Sequence, residues 1–297
     1  MDIEADFLSH RNDTTMLLEN VIGSSIVALL ITAFLPPYVL ILRIVYGDIE
    51  FSTSSYRIIF HLGVADCTQL IFQIPAIVFN FLTETDAVRT ISKVFGAFLH
   101  AGWVAYTALT LLLALNRFFV ISDMKQTAFL CRRTPLTVQL AICWGWAFFN
   151  FITFLTPAAR LTYSSQDLVW IYGGRSQYFK VFRMIALYSS IGELFLACVA
   201  YIAMFAYLYH TMPISKFFVG NTTAQNRELR LLICGLAIFV AVYWNCYCMM
   251  FYPGRLVIMS TNLLWIINSG ANPFIYACIN RSLRTKLYRT IRCLHEH

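Results

Sequence analysis

Asn268-Ser269-Gly270-Ala271-Asn272-Pro273-Phe274-Ile275-Tyr276 lies near the end of the last long apolar run and is followed at once by a basic segment, residues 281–292. Two asparagines, a proline and a tyrosine are unfavourable inside a helix bathed in hydrocarbon, so they imply correspondents on other helices. Asn268 and Asn272 stand four residues apart and therefore share one face. Pro273 interrupts the backbone ladder and supplies a local hinge.

The rest of the chain provides the surroundings this stretch needs. Of its 297 residues 59% are hydrophobic and 12% charged, with mean hydropathy +0.66. Soluble chains carry about 25% charged residues, so most of this one is built for a bilayer. A span takes about 20 apolar residues, and the apolar runs predict spans at 22–46, 56–82, 91–121, 136–157, 181–210, 229–253 and 256–280. The expected fold is an all-α membrane protein, a seven-transmembrane helix bundle over 22–280, after an extracellular segment 1–21 and before a cytoplasmic amphipathic helix and tail, 281–297. Asp2, Glu4, Asp6, Asp13 and Glu19 against Arg11 rule out a cleavable signal peptide in the first segment.

Lysine and arginine placement orients the bundle with its N-terminus outside. The inner segments then carry Arg43 and Arg57, Arg117, Lys125, Arg132 and Arg133, Lys216, Arg227 and Arg230, and the basic tail. The largest outer group is Arg160, Arg175, Lys180 and Arg183. The sequon at Asn12 agrees, being a glycosylation site that only an outside segment can use. Under this topology every cysteine is intramembrane or cytosolic, so no disulfide is expected. Cys246 and Cys248 have the wrong spacing for zinc, and no metal or cofactor is expected. The net charge of +7 is scattered over loops and tail rather than gathered in a stripe, which disfavours nucleic acid. No HExxH pair or glycine-rich phosphate loop is present and the six histidines are dispersed, so an enzyme is disfavoured.

Two charged residues answer the opening stretch. Asp66 lies about ten residues, hence about 15 Å, into the second span. An ionised group there costs at least about 2.5 kcal/mol and needs a partner, and Asn268 and Asn272 are the candidates, a purely structural polar knot being the alternative. Arg117 ends the third span in Leu113-Ala114-Leu115-Asn116-Arg117-Phe118, where an arginine alone reads as a snorkelling anchor.

Together these residues resemble the rhodopsin-like G-protein-coupled receptors. Asp66 stands as the second-helix aspartate, Asn116-Arg117-Phe118 as the acidic-Arg-aromatic triplet, Trp144 or Trp146 as the fourth-helix tryptophan, Trp244 as the sixth-helix toggle, and Asn272-Pro273-Phe274-Ile275-Tyr276 as the seventh-helix pattern. Several positions depart from the pattern. Asn116 replaces the acid, leaving Glu228 as the available partner for Arg117, and Cys246 replaces a kink-forming proline. Ser92 stands where the third-helix cysteine would be, and the second outer loop holds no cysteine. Tyr106 replaces a small hydroxyl residue that helps bind sodium, which counts against a sodium site at Asp66. This set is similar to the nematode serpentine chemoreceptors of class T or X.

The resemblance implies a plasma-membrane receptor of a sensory neuron, with a small-molecule ligand and a heterotrimeric G protein as partners. Asp66, Asn116, Arg117, Trp244, Asn268, Asn272, Pro273 and Tyr276 would form its switch. Helix geometry places Leu99, Trp103 and Tyr106 on a path from the outer mouth inward. Tyr243 and Tyr247 from the sixth span, with Asn262 and Trp265 from the seventh, would complete an aromatic cavity with few polar anchors, suited to a small, neutral, lipophilic cue. Glu193, the other intramembrane acid, is read first as structural. Leu283, Leu287 and Ile291 recur every four residues among cations, predicting a helix on the inner leaflet, with Cys293 as a palmitoylation candidate. A seven-span small-solute transporter is the competing reading, since Pro36, Pro37 and Pro75 interrupt helices. No lysine lies between Lys216 and Lys286, which excludes a retinal Schiff base in the last span.

Overall fold

The structure is a computed structural model and describes residues 2–122, 132–174, 177–211 and 255–295. In chain order its elements are α1 (Asp2–Gly47), a 3-10 turn (Ile49–Phe51), α2 (Ser54–Phe79), α3 (Asp86–Ile121), α4 (Arg133–Leu155), the strands β1 (Arg160–Ser164) and β2 (Val169–Gly173), α5 (Gln177–Thr211), α6 (Arg255–Ile279) and α7 (Arg281–His295). The helices follow the apolar runs. The predicted sixth span, 229–253, lies outside the described residues, so α6 is the helix of the last run. Five of these helices are long and apolar enough to cross a membrane.

α3 begins earlier than its apolar run because Thr85 caps it: the hydroxyl accepts from the Val88 N–H at 3.3 Å, and Asp86 follows in the first turn. α1 runs unbroken from Asp2 through Pro36 and Pro37, so the backbone of the expected N-terminal segment is helical and continuous with the first span. α3 is the central helix, packed against α2, α4, α5 and β1, while α1 closes against α2, α6 and α7. Large apolar side chains such as Leu29, Ile142, Phe148 and Phe195 point outward. Such a surface is stable facing lipid and unstable facing water.

The connection between α4 and α5 of this all-α bundle forms a hairpin, β1–β2, which the apolar runs do not announce. Its strands pair antiparallel with Leu161 opposite Tyr172 and Tyr163 opposite Trp170. Apolar and aromatic residues alternate along them, and pairing satisfies backbone groups that a buried loop would leave open. The turn passes through Leu168 at φ 55°. Leu161 and Trp170 are buried against α2, α3 and α4. Gly96 permits the approach: a Cβ there would lie 2.0 Å from the Leu161 carbonyl oxygen. Gly270, inside the opening stretch, plays the same part against α1, where a Cβ would meet Phe34 at 2.1 Å.

Candidate functional site

The polar groups are strung along the bundle in three tiers. In the middle tier Asp66 is wholly buried. Its Oδ2 accepts from Asn272 Nδ2 at 2.8 Å and from the Tyr38 hydroxyl at 2.5 Å. α2, α6 and α1 thus meet at one carboxylate oxygen. Of the two expected partners Asn272 is engaged, whereas Asn268 is buried without bonding Asp66. Pro273 lies inside α6 directly after Asn272. Tyr106 is buried on α3 and stacks with Trp103 at 5.8 Å.

At one end of the bundle, Asn116 and Arg117 are buried on the last turns of α3. Asn116 Oδ1 accepts from the hydroxyls of Ser55 (2.9 Å) and Ser54 (3.2 Å). The residue that replaced an acid therefore ties α3 to the start of α2, a partnership its own neighbourhood in sequence does not suggest. Arg117 lines a cavity of about 410 Å³ together with Glu50, Ser54, Ser55, Tyr276 and Asn280. Glu228, the expected partner of Arg117, lies outside the described residues. α7 closes one side of this end. Asn280 Oδ1 caps it by accepting from the Ser282 N–H (3.0 Å) and Leu283 N–H (3.3 Å), and Asn280 Nδ2 donates to Tyr56. Leu283 is buried among Ile41, Val45 and Phe51. Lys286 bonds Asp48, lies 2.6 Å from Glu50 and sits over the Phe51 ring. These hydrogen bonds hold Asp48 and Glu50 below the usual carboxylate range and Lys286 above the usual lysine value.

The opposite end is organised by two glutamines that the sequence reading overlooked. Gln73 Oε1 accepts from the Trp170 indole (2.8 Å), and its Nε2 donates to Asn262 (3.2 Å). Asn262 in turn donates to the Leu168 carbonyl (3.4 Å). One turn deeper, Gln69 Oε1 accepts from the Trp265 indole at 2.7 Å. Trp265 stands edge-on to Trp103, with ring centres 5.9 Å apart. Asp66, Gln69 and Gln73 occupy positions i, i+3 and i+7 of α2. That helical spacing of polar residues was the signal available in the sequence.

Trp103, Tyr106, Asn262 and Trp265, all expected to line a ligand cavity, thus converge. Leu99 is wholly buried in a cluster with Phe154, Leu161 and Trp170 beneath the hairpin, and Trp265 packs against the same cluster. Trp244, Tyr243, Tyr247 and Cys246 lie outside the described residues, as does the side chain of Asn12. Of the two fourth-helix candidates, Trp144 donates to His61 on α2 at 3.2 Å, whereas Trp146 stacks on Phe149 of its own helix. Glu193 is half-buried with its carboxyl against Thr107 of α3. At Ser92 the hydroxyl accepts from the Tyr163 N–H at 2.7 Å, so a hydrogen bond joins the loop to α3 where the resemblance would place a disulfide. Cys67, Cys143, Cys198, Cys278 and Cys293 are free thiols.

The family model for serpentine-type seven-transmembrane G-protein-coupled chemoreceptors, Srt, matches residues 10–296. The chain belongs to this chemoreceptor family. The serpentine receptor also shares its fold with squid rhodopsin, at a TM-score of 0.71 and 11% identity, over 91% of this chain and 81% of that one. No curated protein matches it. Membership makes the serpentine receptor a multi-pass membrane protein of signal transduction rather than an enzyme.

Proposed function

We propose that this serpentine receptor binds a small, neutral, lipophilic cue between the hairpin end and Asp66, and activates a heterotrimeric G protein at the Arg117 end. The observation that carries the reading is the cavity beside Arg117 and Tyr276, about 410 Å³ and walled by α2, α3, α6 and α7. It supports admission of a partner helix where Arg117 and Tyr276 line the space it would enter. The aromatic cluster of Trp103, Tyr106 and Trp265 supports the ligand end, because it offers ring faces and few polar anchors. Asp66, bonded to helices from both sides, is the element that ligand and partner would both bias.

This reading puts the N-terminus and Asn12 outside the plasma membrane of a sensory neuron. α7 then lies along the inner leaflet, with Cys293 within reach of palmitoylation. The test is expression in cells carrying a calcium or cyclic-nucleotide reporter, screened against odorant-like and pheromone-like small molecules. A hit should lose its response in Arg117→Ala at equal surface level. A response unchanged in that variant, or flux of the cue across the membrane without a reporter signal, would count against the proposal.

A further inference from the structure

A second cavity, of about 800 Å³, opens at the Arg117 end between the close of α1, the 3-10 turn and the starts of α2 and α4. Arg117 is not part of its wall. Two cations are, Arg57 and Arg133, and among the described residues neither guanidinium pairs with a carboxylate. The acid in the wall, Asp48, is already engaged by Lys286. The remaining lining is largely apolar or aromatic, with Val45, Phe60 and Leu136 behind the arginines. Ser54 and Arg133, the first residues of α2 and α4, also face this space. Neither helix has a side-chain cap at its start, which adds the partial positive charge of two helix ends to the two guanidinium charges.

The depth of the cavity restricts what can fill it. Tyr46 and Ile49, at its rim, are 79% and 88% exposed. Apolar and aromatic side chains standing free beside the ends of membrane spans belong at headgroup level. The occupant therefore needs an anionic group for the arginine forks and an apolar portion to lie against Val45, Phe60 and Leu136. A soluble anion meets only the first requirement.

We propose that this cavity binds the polyphosphorylated headgroup of an anionic membrane lipid, with Arg57 and Arg133 gripping its phosphates. Guanidinium forks match phosphate oxygens two at a time, and the volume exceeds what a single phosphate group fills. The inference requires that the chain span a membrane, which its family establishes, and it rests on the proposed orientation that turns this end to the cytosol; its test contains no G protein, so it can fail separately from the signalling reading.

The test uses the full-length receptor in phosphatidylcholine nanodiscs, titrated with fluorescent phosphatidylinositol bisphosphate without any G protein. Binding should exceed that of phosphatidylserine. Arg57→Gln and Arg133→Gln should each weaken it about fivefold, and together roughly thirtyfold, as expected for cations near an anionic surface. Arg281→Gln, on α7 and outside the cavity, should leave it unchanged. Equal affinity in a folded double variant would overturn the site. Equal binding of phosphatidylserine would overturn the headgroup, and equal competition by inorganic phosphate would overturn the lipid in favour of a free anion. Should the double variant fail to fold, photo-crosslinking of the same lipid to the wild type decides: label on residues 52–61 or 133–136 supports the site, and label confined to α7 overturns it.

Discussion

Asn272 Nδ2 lies 2.8 Å from Asp66 Oδ2, and the same oxygen receives the Tyr38 hydroxyl. Two donors converging on one atom are energetically coupled, since losing either changes the charge and position that the other sees. Asn272→Ala and Tyr38→Phe should each lower stability by about 1 kcal/mol, in the range of interhelical polar contacts in membranes. The double variant should depart from additivity. Thermal unfolding of the purified receptor, arranged as a double-mutant cycle, measures both quantities, and strict additivity would disprove the shared-oxygen account.

Removing the Trp170 indole N–H leaves Gln73 with an unpaired buried acceptor, a loss of about 1–3 kcal/mol. Trp170→Phe keeps most of the ring packing and isolates that term. The expected outcome is faster hydrogen exchange in β1–β2, with exchange in α4 little changed. An unaltered hairpin would show that its seat depends on Ser92 and packing alone.

The Gly96 site tests how closely the hairpin approaches α3. A methyl group there meets a backbone carbonyl at 2.0 Å, whereas one at Gly145 meets nothing within 4 Å. Overpacking of this kind costs about 1–3 kcal/mol, so Gly96→Ala should reduce folded receptor at the cell surface and Gly145→Ala should not. Equal surface levels for the two variants would contradict the placement of β1.

The contact of Lys286 with Asp48 and Glu50 gives α7 docking a pH window. Both carboxylates are held below their ordinary range by the Lys286 hydrogen bonds, so their contribution is complete above that range and lost as pH falls through the lowered values. Lys286 is raised, so its contribution is complete below the ordinary lysine value and lost as pH rises through the higher one. Spin labels on α7 and on α1 near Gly47 should report a docked helix at neutral pH and separation in acid. Lys286→Gln should flatten the acid limb, and a limb that persisted in that variant would place the titration elsewhere.

What could be read from the sequence followed from cost. Asp66, Arg117 and Asn272 stand out because polar groups in hydrocarbon are expensive, and the apolar runs locate helices because a bilayer sets their length. Tyr38 stayed hidden because a phenol in a membrane helix looks the same whether it packs, anchors at an interface or donates to a buried acid. Gln69 and Gln73 carried a legible signal in their spacing from Asp66, but their partners, Trp265 and Trp170, lie far along the chain. The hairpin was obscured by its five-residue strands, too short for alternation to outweigh a loop reading. The missing cysteines announced that no disulfide would hold that loop. They gave no hint that Ser92 would hold it by accepting from Tyr163.

The central claim is that Arg117 couples the bundle to a G protein. Nucleotide exchange on a purified heterotrimer tests it most directly, with the receptor in nanodiscs and the cue found in the reporter screen. The wild type should accelerate exchange when the cue is added, and Arg117→Ala should abolish the acceleration while binding the cue with little change. Exchange driven equally well by Arg117→Ala would contradict the account.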